Sequence, residues 1–390
     1  MNVQEEFELL KARNLSIDAT RGKPCAEQLA LSNKLFNMPL SPSPYAEDGT
    51  DVRNYGGNDG LPEMKRIFAE LLDVEAGEII VGGNSSLNMM FDCISTMVLS
   101  RQWNNPKFIC PAPGYDRHFA ICEYFGIKML TVKTNPTHGI DMDEVEELVR
   151  DPDVVGMWCV PVFSNPQGFI YSDQTVSRLA AMKTANPAFK IMWDDAYTIH
   201  QFSGERPKIL NILHECKKNG HEARPFMFTS FSKISIAGGG VACVAAAGEN
   251  QAILRKRLGV QTIGPDKINQ LRHARYFKDL KGIEAHMALH ADILRPKFEL
   301  AIDYFTEKLK GTDATFVAPR GGYFISVEIP NRARRVQQLC KEAGVLLTEA
   351  GATFPYNNEP ADSNLRFAPS YLSLEELEQA VQVFCAAVRS

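Results

Sequence analysis

The run Pro225-Phe226-Met227-Phe228-Thr229-Ser230-Phe231-Ser232-Lys233-Ile234-Ser235-Ile236-Ala237-Gly238-Gly239-Gly240 joins two kinds of sequence. Its first six residues are mostly apolar and aromatic, as a buried strand should be. The three glycines at its end are expected to force an irregular turn. Between them one lysine, Lys233, is framed by small hydroxyl residues. This places Lys233 at the C-terminal end of a buried strand, where open α/β sheets hold their ligands. Lost hydration lowers the pKa of a lysine there and leaves its amine able to attack a carbonyl, the requirement for a Schiff base. Taken alone, the run reads equally as a surface lysine in a glycine-rich loop.

Outward from this strand, apolar runs and amphipathic stretches alternate. Helices are expected over 61–72 (opened by Pro62), 85–99, 116–125, 142–150 and 174–184. Strands are expected over 78–81, 107–110, 127–132, 154–160, 189–193, 225–230 and 241–246. Strands alternating with helices of about 10–15 residues imply a mostly parallel α/β sheet covered on both faces. After about residue 268 the pattern changes to long helical stretches, including 291–309, then short strands over 323–328, 345–348 and 365–368 and a final helix from 374. This predicts a large domain over 46–285 and a smaller α+β domain over 286–390. The segment 1–45 is expected to join the small domain, with 39–44 as connector.

Composition is ordinary for a globular chain: 390 residues, 45% apolar, 23% charged, formal charge −5. That weak acidity argues against nucleic acid as a partner. The nine cysteines are scattered without a C-x-x-C pair, which gives no support to a metal or dithiol site and points to a reducing compartment. Without a basic-then-apolar start or a membrane-length apolar run, the chain is expected to be cytoplasmic.

Four further stretches match what an imine-forming lysine needs. Met192-Trp193-Asp194-Asp195-Ala196-Tyr197 ends another strand, and one of its two aspartates is suited to pair with a protonated pyridine nitrogen; a turn or helix cap is the plainer reading. Ser164-Asn165-Pro166-Gln167-Gly168 is strong turn chemistry that also presents an amide donor. Val81-Gly82-Gly83-Asn84-Ser85-Ser86 lies between a strand and a helix, where free N–H groups suit a phosphate, or Asn84 or Ser85 suits a cap. Arg366, inside the apolar Leu365-Arg366-Phe367-Ala368, suits bidentate capture of a carboxylate or a buried salt bridge.

In this order along the chain, from Arg21-Gly22-Lys23-Pro24 to Arg366, the motifs resemble those of the fold-type I pyridoxal-phosphate enzymes, specifically class I aminotransferases. Asp51-Val52-Arg53-Asn54-Tyr55-Gly56-Gly57 and Gly82-Gly83-Asn84-Ser85-Ser86 resemble, more narrowly, MocR-related aspartate aminotransferase-like proteins without a DNA-binding domain. The resemblance implies the aspartate aminotransferase-like fold with a seven-stranded sheet, pyridoxal 5'-phosphate as cofactor, amino acid and 2-oxo acid substrates, and a homodimer with shared active sites. It implies that Lys233 forms the Schiff base and shuttles the proton, that Asp194 pairs with the pyridine nitrogen, and that Tyr197 and Asn165 bond the phenolic oxygen. Tyr115 stacks on the ring; Gly83, Asn84, Ser85, Ser230 and Ser232 hold the phosphate; Tyr55 reaches it from the partner subunit; Arg366 grips the α-carboxylate. Arg21 and Lys23 are candidates for a distal carboxylate, or else solvated charges.

Most of that wider family has a phosphate-bonding arginine eight positions after the lysine, where this chain has Val241. The expected reaction is ping-pong transfer between aspartate and 2-oxoglutarate. Alanine or aromatic donors and a lyase are the alternatives within this chemistry. An effector-binding domain of a transcription regulator is the alternative outside it, disfavoured because only some twenty residues precede Arg21.

Overall fold

In the computed structural model, which describes residues 2–40, 43–100 and 103–390, one sheet organises the larger part of the molecule. From edge to edge it runs Ile79–Val81, Ala242–Ala245, Pro225–Ser230, Lys190–Asp194, Val154–Cys159, Lys107–Ala112, Lys128–Asn135 and Gly139–Ile140. The five strands from Pro225–Ser230 to Lys128–Asn135 are mutually parallel, and Ala242–Ala245 is antiparallel to both its neighbours. Seven strands are those expected; the eighth, Gly139–Ile140, is a two-residue return on Lys128–Asn135, too short to show as a period in sequence.

The strands are apolar on both faces because helices cover both. Along Lys190–Asp194, Ile191 and Trp193 enter one buried cluster and Met192 the other; along Pro225–Ser230, Met227 faces the first and Phe226 and Phe228 the second. Chain order reverses beside Lys107–Ala112, whose neighbours are the next strand on one side and Val154–Cys159 on the other. That reversal opens a crevice beyond the C-terminal strand ends.

A third cluster joins Phe7, Leu10 and Ile17 to the helices Leu280–Lys308 and Leu374–Arg389 and the strand Ile325–Glu328. Ile17–Ala19 pairs in parallel with Val345–Leu347, and Ile325–Glu328 lies between Thr315–Phe316 and Asn364–Phe367. Of the expected connector 39–44, residues 41 and 42 lie outside the described residues. No helix among the described residues is long and apolar enough to cross a membrane.

Several elements were not expected. Val3–Lys11, Ile212–Lys218 and Ala333–Glu342 are short helices, and Glu249–Gln261 buries only Asn250 and Leu254, so it lacks a wide apolar stripe. The glycine run also has a different cause from the one expected. None of Gly238, Gly239 and Gly240 adopts positive φ. Gly240 is required by close approach instead: a Cβ there would stand 2.8 Å from Ser232 N.

Candidate active site

The crevice collects its polar residues from successive strand ends. Pro225–Ser230 runs into a single 3-10 turn, Phe231–Lys233, which swings Lys233 just beyond the sheet. Its Nζ stands 4.9 Å from the centre of the Tyr197 ring. Lys233 is half-buried, so it is less stripped of water than its place after a buried strand suggested. Asp194 is the last residue of the adjacent strand and is 4% exposed. Its Oδ2 meets His118 Nε2 at 3.0 Å, whereas its Oδ1 is buried with no hydrogen-bond partner.

His118 is held firmly for this contact. Its ring stacks on Trp158 at 4.1 Å and 6°, and the Tyr115 ring meets it edge-on at 4.9 Å. Tyr115 is the N-cap of the helix Asp116–Tyr124, so Tyr115 and His118 lie one turn apart on the same side. Burial pushes the Tyr115 phenol up to about 12, with the Lys233 charge pulling it back. Burial, reinforced by Asp194 and opposed by Arg366, also pushes the Tyr197 phenol up. Both are hydroxyl donors at neutral pH.

At one end of the crevice Asn165 Oδ1 accepts from Arg366 Nη1 at 3.2 Å. With its oxygen committed, the Asn165 amide presents N–H donors elsewhere. Arg366 is 7% exposed, lies 4.8 Å over the Phe324 ring and touches Asp116 at 3.3 Å. Its contacts with Thr348 Oγ1 are long, 3.4 and 3.3 Å. The Arg21-Gly22-Lys23 turn rests on the other side of this group, since a Cβ on Gly22 would stand 2.5 Å from the Phe324 ring. Lys23 Nζ turns onto the Tyr371 ring at 3.9 Å, whereas Arg21 makes no ion pair among the described residues.

At the other end Gly83, Asn84 and Ser85 precede the helix Ser86–Leu99, whose N-cap Ser85 makes no capping bond and whose first turn holds no acidic residue. Ser232 Oγ donates to Asn84 O at 2.8 Å, which brings the lysine turn and this helix start together; Ser230 closes the strand beside them. Val241 is buried in the apolar cluster and supplies no cation. Tyr55 is 80% exposed on a separate turn and meets none of these residues within one chain. A cavity of about 900 Å3 against Trp193, Asp195 and Met227 lies on the opposite sheet face and holds none of the residues of the crevice.

The model of the family described as aspartate amino-transferase matches residues 1–390 of this chain. The chain belongs to this family. An aspartate aminotransferase of Corynebacterium glutamicum is 44% identical over 97% of this chain and 90% of its own length. The crystal structure of an aspartate transaminase from that species superposes with a TM-score of 0.96 at 44% identity, covering 99% of this chain and 93% of that one. An alpha-aminoadipate aminotransferase from Thermus thermophilus, complexed with N-(5'-phosphopyridoxyl)-L-leucine, shares the fold at TM-score 0.79 and 19% identity, covering 100% and 95%. The protein is therefore an aminotransferase, and enzymes of this family depend on pyridoxal 5'-phosphate. The residues present fit that group: the lone buried Oδ1 of Asp194 needs a donor, and a ring N–H is one. Sequence reading missed His118, Trp158, Thr348 and Phe324. Only His118 carried a signal, three residues after Tyr115 at the start of an expected helix.

Proposed function

We propose that this enzyme exchanges amino groups between L-aspartate and 2-oxoglutarate by a ping-pong reaction, with pyridoxal 5'-phosphate held in the crevice. The observation that carries the reading is the Asp194 carboxylate, oriented through Oδ2 by His118 and without a partner at Oδ1, at the end of the strand adjacent to the one that leads into Lys233. Bound there, the cofactor supplies an aldehyde that condenses with amines and a ring that withdraws electrons from the substrate α-carbon. Asp194 Oδ1 would pair with the ring nitrogen and keep it protonated. Tyr115 would pack on the ring. Tyr197 and Asn165 would donate to the phenolic oxygen, which the committed orientation of the Asn165 amide supports.

Lys233 Nζ would hold the cofactor's aldehyde and, once free, would serve as the base for the proton on the substrate α-carbon. Arg366 binds the α-carboxylate; its long contacts with Thr348 leave an edge for a bidentate partner. Arg21, which makes no ion pair among the described residues, is favoured for the distal carboxylate over Lys23, whose amine lies on the Tyr371 ring. Gly83, Asn84 and Ser85, with Ser230 and Ser232, hold the phosphate at the uncapped helix start without the usual arginine. The stretches around Tyr55 and Gly83 favour the MocR-related branch.

A homodimer completes the site. Gly56 N donates to Ile263 O at 3.0 Å, which sets exposed Tyr55 and Ile263 side by side, with exposed Val260 three residues away. Covering this apolar patch with a second copy lets Tyr55 reach the partner's phosphate site. Light scattering should return twice the chain mass, and a monomer at working concentration would overturn this. The reaction itself is tested with Lys233→Ala and a panel of amino donors against 2-oxoglutarate. The variant should lose more than about a thousandfold in rate. Retained activity, or alanine or an aromatic donor far ahead of aspartate, defeats the mechanism or the substrate assignment respectively.

A further inference from the structure

The turn that carries Lys233 leaves the four carbonyls of residues 232–235 without a backbone partner among the described residues. Ile234 N and Ser235 N both donate to Phe231 O, at 3.0 and 2.8 Å, and the next backbone bond starts at Ile236. The carbonyls of Lys233 and Ile234 accept no backbone N–H among the described residues. Buried carbonyls need partners, so side chains must supply them.

Three do, with a fourth side chain behind them. His286 Nε2 is 2.9 Å from Ile234 O, and His290 Nε2 lies 3.2 Å from His286 Nε2. His200 Nε2 is 3.4 Å and the Tyr323 hydroxyl 3.5 Å from Lys233 O. The four come from three places: His200 follows the strand Lys190–Asp194, His286 and His290 lie on Leu280–Lys308, and Tyr323 precedes Ile325–Glu328.

Gln28 fixes the direction of these bonds. Its Oε1 accepts from Cys25 N at 3.1 Å, so its amide N–H groups face His290 Nδ1 at 2.9 Å and Tyr323 O at 3.0 Å. His290 Nδ1 is then an acceptor and its single proton sits on Nε2, the atom beside His286. The Tyr323 oxygen accepts from Gln28, which leaves its own proton for Lys233 O. Burial pushes His200 and His290 down to about 3 and lowers His286 as well, so all three rings are neutral and have one N–H to place. No carboxylate among the described residues bonds any of them.

We propose that His286, backed by His290, together with His200 and Tyr323 are positioning residues that aim the Lys233 amine by anchoring the consecutive carbonyls of Lys233 and Ile234, and that Gln28 ties this aim to the N-terminal segment. The proposal rests on Lys233 being the reacting amine. An amine on four rotatable bonds reacts well only from a narrow range of positions, and a displacement near 1 Å costs up to about a hundredfold in rate. The Lys233 carbonyl lies in the peptide plane that contains the Cα of Lys233, so anchoring it and the next carbonyl holds the backbone on the C-terminal side of the lysine. The anchors also reach the substrate end, because Tyr323 adjoins Phe324, over which Arg366 lies.

The test uses the cofactor-loaded enzyme with Tyr323→Phe, His290→Leu and His290→Gln, the last because a glutamine amide nitrogen can stand where Nε2 does. Three quantities are read: kcat and KM for the amino donor, the pH midpoint of the bound cofactor's visible absorbance, and Tm. Tyr323→Phe and His290→Leu are expected to lower kcat about tenfold with KM within about twofold, and to shift the absorbance midpoint by about one pH unit. His290→Gln should restore both. If kcat and the midpoint stay at parental values while only Tm falls, the network is scaffolding and the proposal is wrong. Should His290→Leu fail to fold, Tyr323→Phe, which keeps the ring packing, decides alone. Lys233→Ala separates the two levels: its inactivity beside silent network variants sinks this inference only, and its activity sinks the reading beneath it.

Discussion

Asp194 and Asp195 are adjacent, chemically identical and almost equally buried, at 4% and 6% exposure, yet they stand in different environments. Strand alternation sends them to opposite faces of the sheet. On one face Asp194 meets His118 at 3.0 Å, and that ring is itself stacked on Trp158. On the other, Asp195 has an Oδ1 without a partner, and burial, helped by the charge of Asp194 and opposed by Arg206, pushes its carboxyl up to about 7. Its backbone is fully used, with N donating to Phe228 O at 2.8 Å and O accepting from Thr229 Oγ1 at 3.0 Å. A buried, perturbed carboxylate is thus not by itself a sign of chemistry. What marks Asp194 is the rigid donor that orients its second oxygen, on the sheet face that also presents the lysine turn.

The largest expected effect separates the two faces directly. On the proposed assignment Asp194→Asn removes the charge that would hold a ring nitrogen protonated, and kcat should fall about a thousandfold. His118→Phe keeps the stacking surface on Trp158 but removes one charge-assisted bond, worth about 1.5–3 kcal/mol, which corresponds to roughly ten- to a hundredfold in kcat. Steady-state kinetics with one donor rank them. The comparison breaks if Asp195→Asn costs as much as Asp194→Asn, or if His118→Phe is silent.

Much of this arrangement was legible before any coordinates. The strands over 107–110, 154–160, 189–193 and 225–230 were visible because each is an apolar run closed by turn chemistry, and the candidates Tyr115, Asn165, Asp194 and Lys233 all follow such runs. Parallel α/β topology then brings those ends together, so local pattern suffices for most of the crevice. The choice of Asp194 over Asp195 came only from the family resemblance and not from the residues themselves, because one residue of strand register decides which face each meets. His118 was hidden for a related reason: its partner lies 76 residues away, and only the packing of the helix Asp116–Tyr124 on the sheet joins them. The buried partners of the lysine turn were further out of reach, since Gln28 and His290 are separated by 262 residues. The glycine run was noticed but misread, because a requirement for close approach and a requirement for positive φ leave the same residue in the sequence.

The smallest effect on activity should come from Asp195, and it sharpens the comparison through stability. Its folded pKa of about 7 stands above the ordinary value of 3.8. Below about pH 4 both the folded and the unfolded chain hold the proton, and the group makes no difference. Between about 4 and 7 the unfolded chain has lost it while the folded chain keeps it, so stability falls as pH rises through this window and the loss is complete above 7. Asp195→Asn removes the charge and with it this slope. The variant's Tm relative to the parent should therefore be higher at pH 8 than at pH 5, while kcat stays within about threefold of the parental value. A Tm difference that is flat across that range, or that runs the other way, would show that Asp195 is ionised throughout and stabilised on its own face, and the two aspartates would then be alike in more than sequence.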